Sequence, residues 1–287
     1  MLVIVGMIVV VASVLGGFSM AGGHAHALWH PSEIVTIGGA AFGAMVIMAP
    51  LKVLKELFKG VMQTMTGSPF SKKAHEELLK VMYDLFRTAR KDGLLALEAH
   101  IRDPHDSAIF NKYPLIAKNH HVTEFISGLM CPLMDGSVSP DRLPALAESE
   151  LHMLAEEHHA PLSVLSKTAD GLPGFGIVAA VLGIVITMGA IDGPVEEIGH
   201  KVGAALVGTF LGILLSYGFL APLAVNLEFL GHVELGFFRA IARMVEGFAQ
   251  SLPPKVVVEL ARRGMGSEVR PNEKQMEELL KAVESSA

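Results

Sequence analysis

Hydrophobic positions along this chain follow two rhythms. In four places they run unbroken: Leu2 to about Phe18, Ile34 to Leu51, Gly174 to Ile191 and Val202 to about Ala224 hold no Asp, Glu, Lys or Arg. At ~1.5 Å per residue, each run forms a helix that covers most of the ~30 Å hydrocarbon layer of a bilayer. Elsewhere the apolar residues return every three or four positions. "HEELLKVMYDLFRTAR" sets Leu78, Leu79, Met82, Leu85 and Phe86 on one helical face, and "LPALAESELHMLAEEHH" and "ELGFFRAIARMVEGF" repeat the pattern. Gly67-Ser68-Pro69, Asp103-Pro104, Tyr113-Pro114 and Gly136 to Pro140 cut the region between spans two and three into short helices. Pro253-Pro254 ends the helix after the fourth span, and a weak helix follows over Glu277 to Val283. No period-two alternation marks a strand.

The pattern predicts an all-α membrane protein: four transmembrane helices, with a helical cytoplasmic domain inserted between spans two and three. The expected division is 1–54 for spans one and two, 55–170 for the cytoplasmic domain, 171–225 for spans three and four, and 226–287 for cytoplasmic C-terminal helices and tail.

Composition sharpens this picture. The chain is 51% hydrophobic with a mean hydropathy of +0.46, concentrated in blocks, which weighs against one large soluble core. Ala25-His26-Ala27 resembles a signal-peptide cleavage site, but no basic segment precedes the first run and a second run follows closely, so the first span is expected to be retained. The loop Ser19–Ser32 has no Lys or Arg, whereas Lys52, Lys55, Lys59, Lys72 and Lys73 crowd after the second span. By the positive-inside rule that end is cytoplasmic, which places both termini inside. A single Cys, Cys131, leaves no internal disulfide to form. The net charge of −6 argues against nucleic acid as a partner, and the absence of a Gly-rich phosphate loop argues against ATP as the energy source.

An ion path through lipid needs an ionisable group at depth, usually a carboxylate. None is read within the four runs, so either the protein conducts nothing or a partner supplies the group. Small residues recur instead at four-residue spacing: Ala204, Gly208, Gly212 and Ser216 in the fourth span, and Ala179, Gly183 and Thr187 in the third. Such rows allow close helix packing within one subunit. They also allow a cavity for a solvated ion or foreign helix, with hydroxyls from Thr187, Thr209 and Ser216. Pro173 and Pro222 sit at the cytoplasmic ends of spans three and four, as fixed kinks or as hinges. His24, His26 and His30 share one loop without nearby Cys or carboxylate until Glu33, so no metal site is expected there.

"PSEIVTIGGAAFGA", "PGFGIVAAVLGIV", "ALVGTFLGILLSYGFLAPLA" and "RKDGLLALE" resemble the A subunit of the bacterial flagellar stator, the MotA/PomA family, over nearly the whole chain. That resemblance implies a pentamer of A subunits around a dimer of a MotB-type B subunit, whose transmembrane Asp accepts the ion. It implies torque on the rotor switch protein FliG, with Arg90 and Glu98 facing the rotor and Pro173 and Pro222 as conformational couplers. Sodium-type members resemble this sequence but place Thr where Ala180 stands, with another Thr at the position of Thr209. Dehydrated sodium needs several oxygen ligands, so Ala180 points to H+ as the coupling ion over Na+, with no cofactor. Ala180, Thr187, Thr209, Gly212 and Ser216 then line the ion path or the partner helix.

Two other classes are weighed. An ExbB/TolQ-like energiser of outer-membrane processes shares the small-residue spans, but such proteins typically have three spans with the N-terminus outside. A membrane scaffold or secondary transporter is the other, and a transporter is expected to carry polar midplane ligands and often an internal repeat, neither of which is read here. No nucleophile–base pair stands out, so no enzyme is expected.

Overall fold

The computed structural model describes residues 2–285. They are mostly helical, without a strand among them. Four helical stretches are long and apolar enough to cross a membrane: Leu2–Met20, Ala25–Met48, Leu143–Met188 and Val195–Ala249. The chain divides into two compact units, one made of its first part up to Gly67 with Glu157–Leu230, the other of Ser68–Glu156 with the chain from Gly231 onward.

The first unit holds α1 (Leu2–Met20), a 3-10 turn (Ala25–Leu28), α2 (Pro31–Met48), α3 (Leu51–Thr66), the C-terminal part of α8 (Leu143–Met188), and α9 (Val195–Ile213). Helix α1 buries none of its residues, and Leu2, Val5 and Ile8 are more than half exposed; a helix apolar on every face has to be covered by lipid or by another chain. Two clusters tie the others together. Ile37 and Ala41 of α2 meet Leu172 and Ala179 of α8, while Met45, Leu54 and Leu57 meet Val164, Leu165 and Leu223.

Helix α8 is one element of 46 residues, about 69 Å long, although Pro161 and Pro173 lie inside it. The sequence sets a domain limit at Gly171, where composition turns apolar, and the helix runs through it unbroken. Residues 54, 170 and 225, where composition changes, all lie inside helices. After α9 the helix widens into a π segment (Leu214–Leu220) and resumes as α10 (Ala221–Ala249). Pro222 follows at once; its ring cannot donate to the Gly218 carbonyl and would press on it, and the wider turn relieves that contact.

The second unit packs α4 (Lys72–Asp92), α5 (Leu94–Arg102), the short α6 (Pro114–Ala117), α7 (His120–Met134), α11 (Pro254–Arg263) and α12 (Glu273–Ser285) with the ends of α8 and α10 that belong to it. Ser71 caps α4 by accepting from the Ala74 N–H, and Asn119 caps α7 by accepting from Val122. The α4 face read from the sequence is the core face: Leu78, Leu79, Met82, Leu85 and Phe86 are fully buried. Phe86 stacks on Phe248 at 4.7 Å between centroids, and Phe70, Phe125, Phe237 and Phe238 form a tilted and edge-to-face cluster.

At the end of α11, Arg262 is buried and donates to both Glu259 oxygens at 2.7 and 2.8 Å and to the Pro271 carbonyl at 2.9 Å. Its hydrogen bonds are the main reason the Glu259 carboxyl is held down to about 2. A carboxyl whose folded pKa lies below its unfolded value contributes stability above the unfolded pKa and loses it as pH falls toward the folded one. Circular dichroism melts of the full chain in detergent are expected to drop between about pH 5 and pH 2, and Glu259→Gln to flatten that drop. An identical acid profile in the variant would exclude this pair as its cause.

Candidate functional site

In the first unit the sequence-predicted membrane residues converge on the α8–α9 crossing. A Cβ added to Gly212 would lie 2.7 Å from the Leu172 carbonyl oxygen and 2.9 Å from the Gly176 Cα; one added to Gly176 would lie 2.9 Å from the Gly208 oxygen and 3.3 Å from the Thr209 Cα. Ala180 joins the same contact, its N 3.4 Å from a Cβ placed on Gly208. Toward the other end, Gly183 meets Ala205. The small-residue row of the fourth span therefore packs against the third span of its own chain.

Ala180, Thr209 and Gly212 are thus brought together, with Pro173 beside Leu172 at the edge of the crossing. Thr187 lies two turns beyond Ala180, and its Oγ1 donates to the Gly183 carbonyl at 2.8 Å. Ser216 sits one turn past Gly212 in the π segment, fully buried, with no partner for its Oγ among the described residues. Pro222 is exposed, six residues farther on.

One finding corrects the sequence reading that no span carries a carboxylate. Glu33 belongs to α2, is buried to 7% exposure, and reaches the α8–α9 crossing, where a Cβ on Gly208 would come within 2.7 Å of its Oε2. The apolar run was read from Ile34, one residue too late. Pro31 at the first helical position, which favours a helix start, was the signal that could have found it.

In the second unit Arg90 lies exposed in the last turn of α4, and Glu98 is half-buried in α5. Gly93 joins the two helices at φ +89°, a conformation that L side chains rarely adopt, so "RKDGLLALE" encodes a corner. Arg90 borders a cavity of about 360 Å3 lined also by Tyr83, Arg87, Lys91, Pro253, Pro254 and Lys255. Four cations thus surround one opening, offset by Glu284, which accepts from the Tyr83 hydroxyl at 2.7 Å and pairs with Lys255 at 2.9 Å. Burial, then the Glu284 contact, pushes Tyr83 up to about 12.

Glu98 is engaged differently. Arg102 donates to it at 2.6 Å and to Asp135 at 2.7 Å, and its own pKa is raised by the Glu98 hydrogen bond first and the Asp135 charge next. Arg90 and Glu98 are therefore not equivalent: one is an exposed cation, the other an anion already bridged. The Glu98–Arg102 spacing of four residues was readable in the sequence.

Residues 4–93 match the family model described as motility protein A N-terminal, and residues 117–230 match the MotA/TolQ/ExbB proton channel family. Motility protein A of Salmonella typhimurium is 34% identical across 99% of this chain and 96% of that protein. The chain belongs to the motility protein A family. Chemotaxis protein LafT of Vibrio parahaemolyticus is 36% identical over 96% of each chain. The solved structure of C. jejuni MotAB shares the fold, with a TM-score of 0.75 at 23% identity over 94% of this chain and 98% of that one. This motility protein A family member is a multi-pass membrane protein whose residues 117–230 belong to a proton channel family, not a family of enzymes. The ExbB/TolQ alternative gives way, because the N-terminal model and the full-length relatives are motility proteins.

Proposed function

We propose that this chain is the A subunit of a flagellar stator in the bacterial inner membrane, working as a pentamer around a MotB-type partner whose transmembrane Asp accepts the proton. Its full-length likeness to motility protein A carries this reading. The uncovered apolar surface of α1 adds a place for neighbouring subunits or lipid. Lys52, Lys55 and Lys59 after the second span favour cytoplasmic termini. Proton flow down the membrane potential releases about 2.3 kcal/mol per charge per 100 mV, and that energy drives the second unit against FliG on the rotor, through Arg90 and Glu98. Pro173 and Pro222 couple the membrane helices to that unit. The methyl of Ala180, where a hydroxyl would serve sodium, favours H+ as the coupling ion.

Vesicles that hold this chain with its B partner are expected to take up protons, and vesicles with either chain alone are not. Swimming at fixed membrane potential should be indifferent to sodium. Proton uptake by the A chain alone at the rate of the complex, or swimming that requires sodium, would overturn the reading.

A further inference from the structure

We propose that Glu33 is a proton-binding site within the A chain itself, a relay carboxyl that hands protons along the path to the partner's acid. This rests on the stator reading above. The carboxyl lies deep between apolar helices: it faces Ala179–Ala180 and Gly208, nine residues in from the Met188 end of α8 and thirteen from the Val195 end of α9, about 14 and 20 Å along those axes. Its Oε2 is buried without a hydrogen-bond partner among the described residues. The Cβ-free face of Gly208 leaves the notch that holds it.

Two opposed forces act on this group. Removal from water disfavours the charged form where no cation compensates. Its place in the first turn of α2 does the reverse, since the N-terminal end of a helix favours a negative charge. No side-chain cap uses the carboxyl there. Helix α8 has no titratable residue after Asp170, and α9 has none after Lys201. The remaining titratable groups on this side are His30, the residue just before α2, His26 with His24 at the 3-10 turn that packs on α9, and Asp192, Glu196, Glu197, His200 and Lys201 at or just before the start of α9, where Lys201 pairs with Glu197 at 2.7 Å. With no fixed counter-ion, Glu33 passes between acid and anion by taking a proton and giving it up, as a relay requires. Uptake forms the O–H bond at the free oxygen and release breaks it, and no electrons move. An intramembrane carboxyl without a structural partner is otherwise a cost that packing would remove.

The test uses the purified A–B complex. In infrared spectra the wild type should show the carbonyl stretch of a protonated carboxylic acid that fades as pH rises, and Glu33→Gln should lack it. In vesicles the same variant, still assembled, should lose proton influx by about a hundredfold, the low end of what a positioned proton-transfer group contributes. Should the amide not assemble, Glu33→Asp must show the band at a shifted frequency. Wild-type influx in Glu33→Gln, or a band unchanged by either variant, overturns the proposal. A wild-type complex that passes no protons sinks the channel reading instead, and the infrared band still decides whether Glu33 takes up a proton.

Discussion

Gly212→Val is expected to abolish swimming and to lower the melting temperature of the purified chain. The new Cβ would meet the Leu172 carbonyl oxygen at 2.7 Å and the Gly176 Cα and N at 2.9 and 3.1 Å. These are backbone atoms of α8 and cannot rotate away, so the helices must separate. Overpacking of this kind costs about 1–3 kcal/mol, a sizeable part of a marginal stability. Gly203→Ala on the same helix is the control, since a Cβ there meets no atom within 4 Å and alanine favours helix. Gly60→Ala is intermediate, because its Cβ meets only the flexible end of Leu227. Equal melting of Gly212→Val and wild type would show that α8 and α9 do not pack through this glycine.

Arg90→Glu should stop or severely slow rotation while the complex still assembles and conducts protons. The side chain lies exposed beside Arg87, Lys91 and Lys255 and fills no core, so its reversal weakens only the last turn of α4 and leaves the unit folded. A contact with an acidic rotor surface would turn from attraction to repulsion, at a cost of several kcal/mol. Part of the torque should return when the facing rotor charge is reversed, and the defect should shrink at high ionic strength, where screening acts over less than ~10 Å. Tethered-cell rotation speeds and proton uptake, measured on the same strain, separate the two effects. Unchanged speed would remove Arg90 from the rotor contact. Glu98 offers a less clean test, since its loss also releases Arg102 from a bridge to Asp135.

Much of this architecture is written in local pattern. Uncharged runs of bilayer length gave four spans, and the spacing of Leu78, Met82 and Phe86 gave the buried face of α4. What stayed hidden depends on partners distant in sequence. The row Gly208–Gly212 announces a close contact, but only the fold tells that the visitor is α8 of the same chain. Pro161 and Pro173 are helix stop signals by local chemistry, yet α8 runs through both, so the cytoplasmic helix continues into the third span. Glu33 was missed by one position: a charge beside an apolar run reads as its boundary, and nothing in the sequence says that α2 starts deep beside α8 and α9. The four-residue step from Glu98 to Arg102 is visible in the sequence, but the reach of Arg102 to Asp135 is not.

The widened turn at Leu214–Leu220 sets the phase of the chain that follows. A π turn holds one residue more than an α turn needs, so deleting any one residue there would let the turn close to α while the continuation keeps its face. Leu223 and Ala224 would go on facing Leu57 and Leu165, with which they are now buried. A one-codon deletion inside Leu214–Leu220 should therefore be far less damaging than one in the α turns on either side, where the continuation would swing by about 100°.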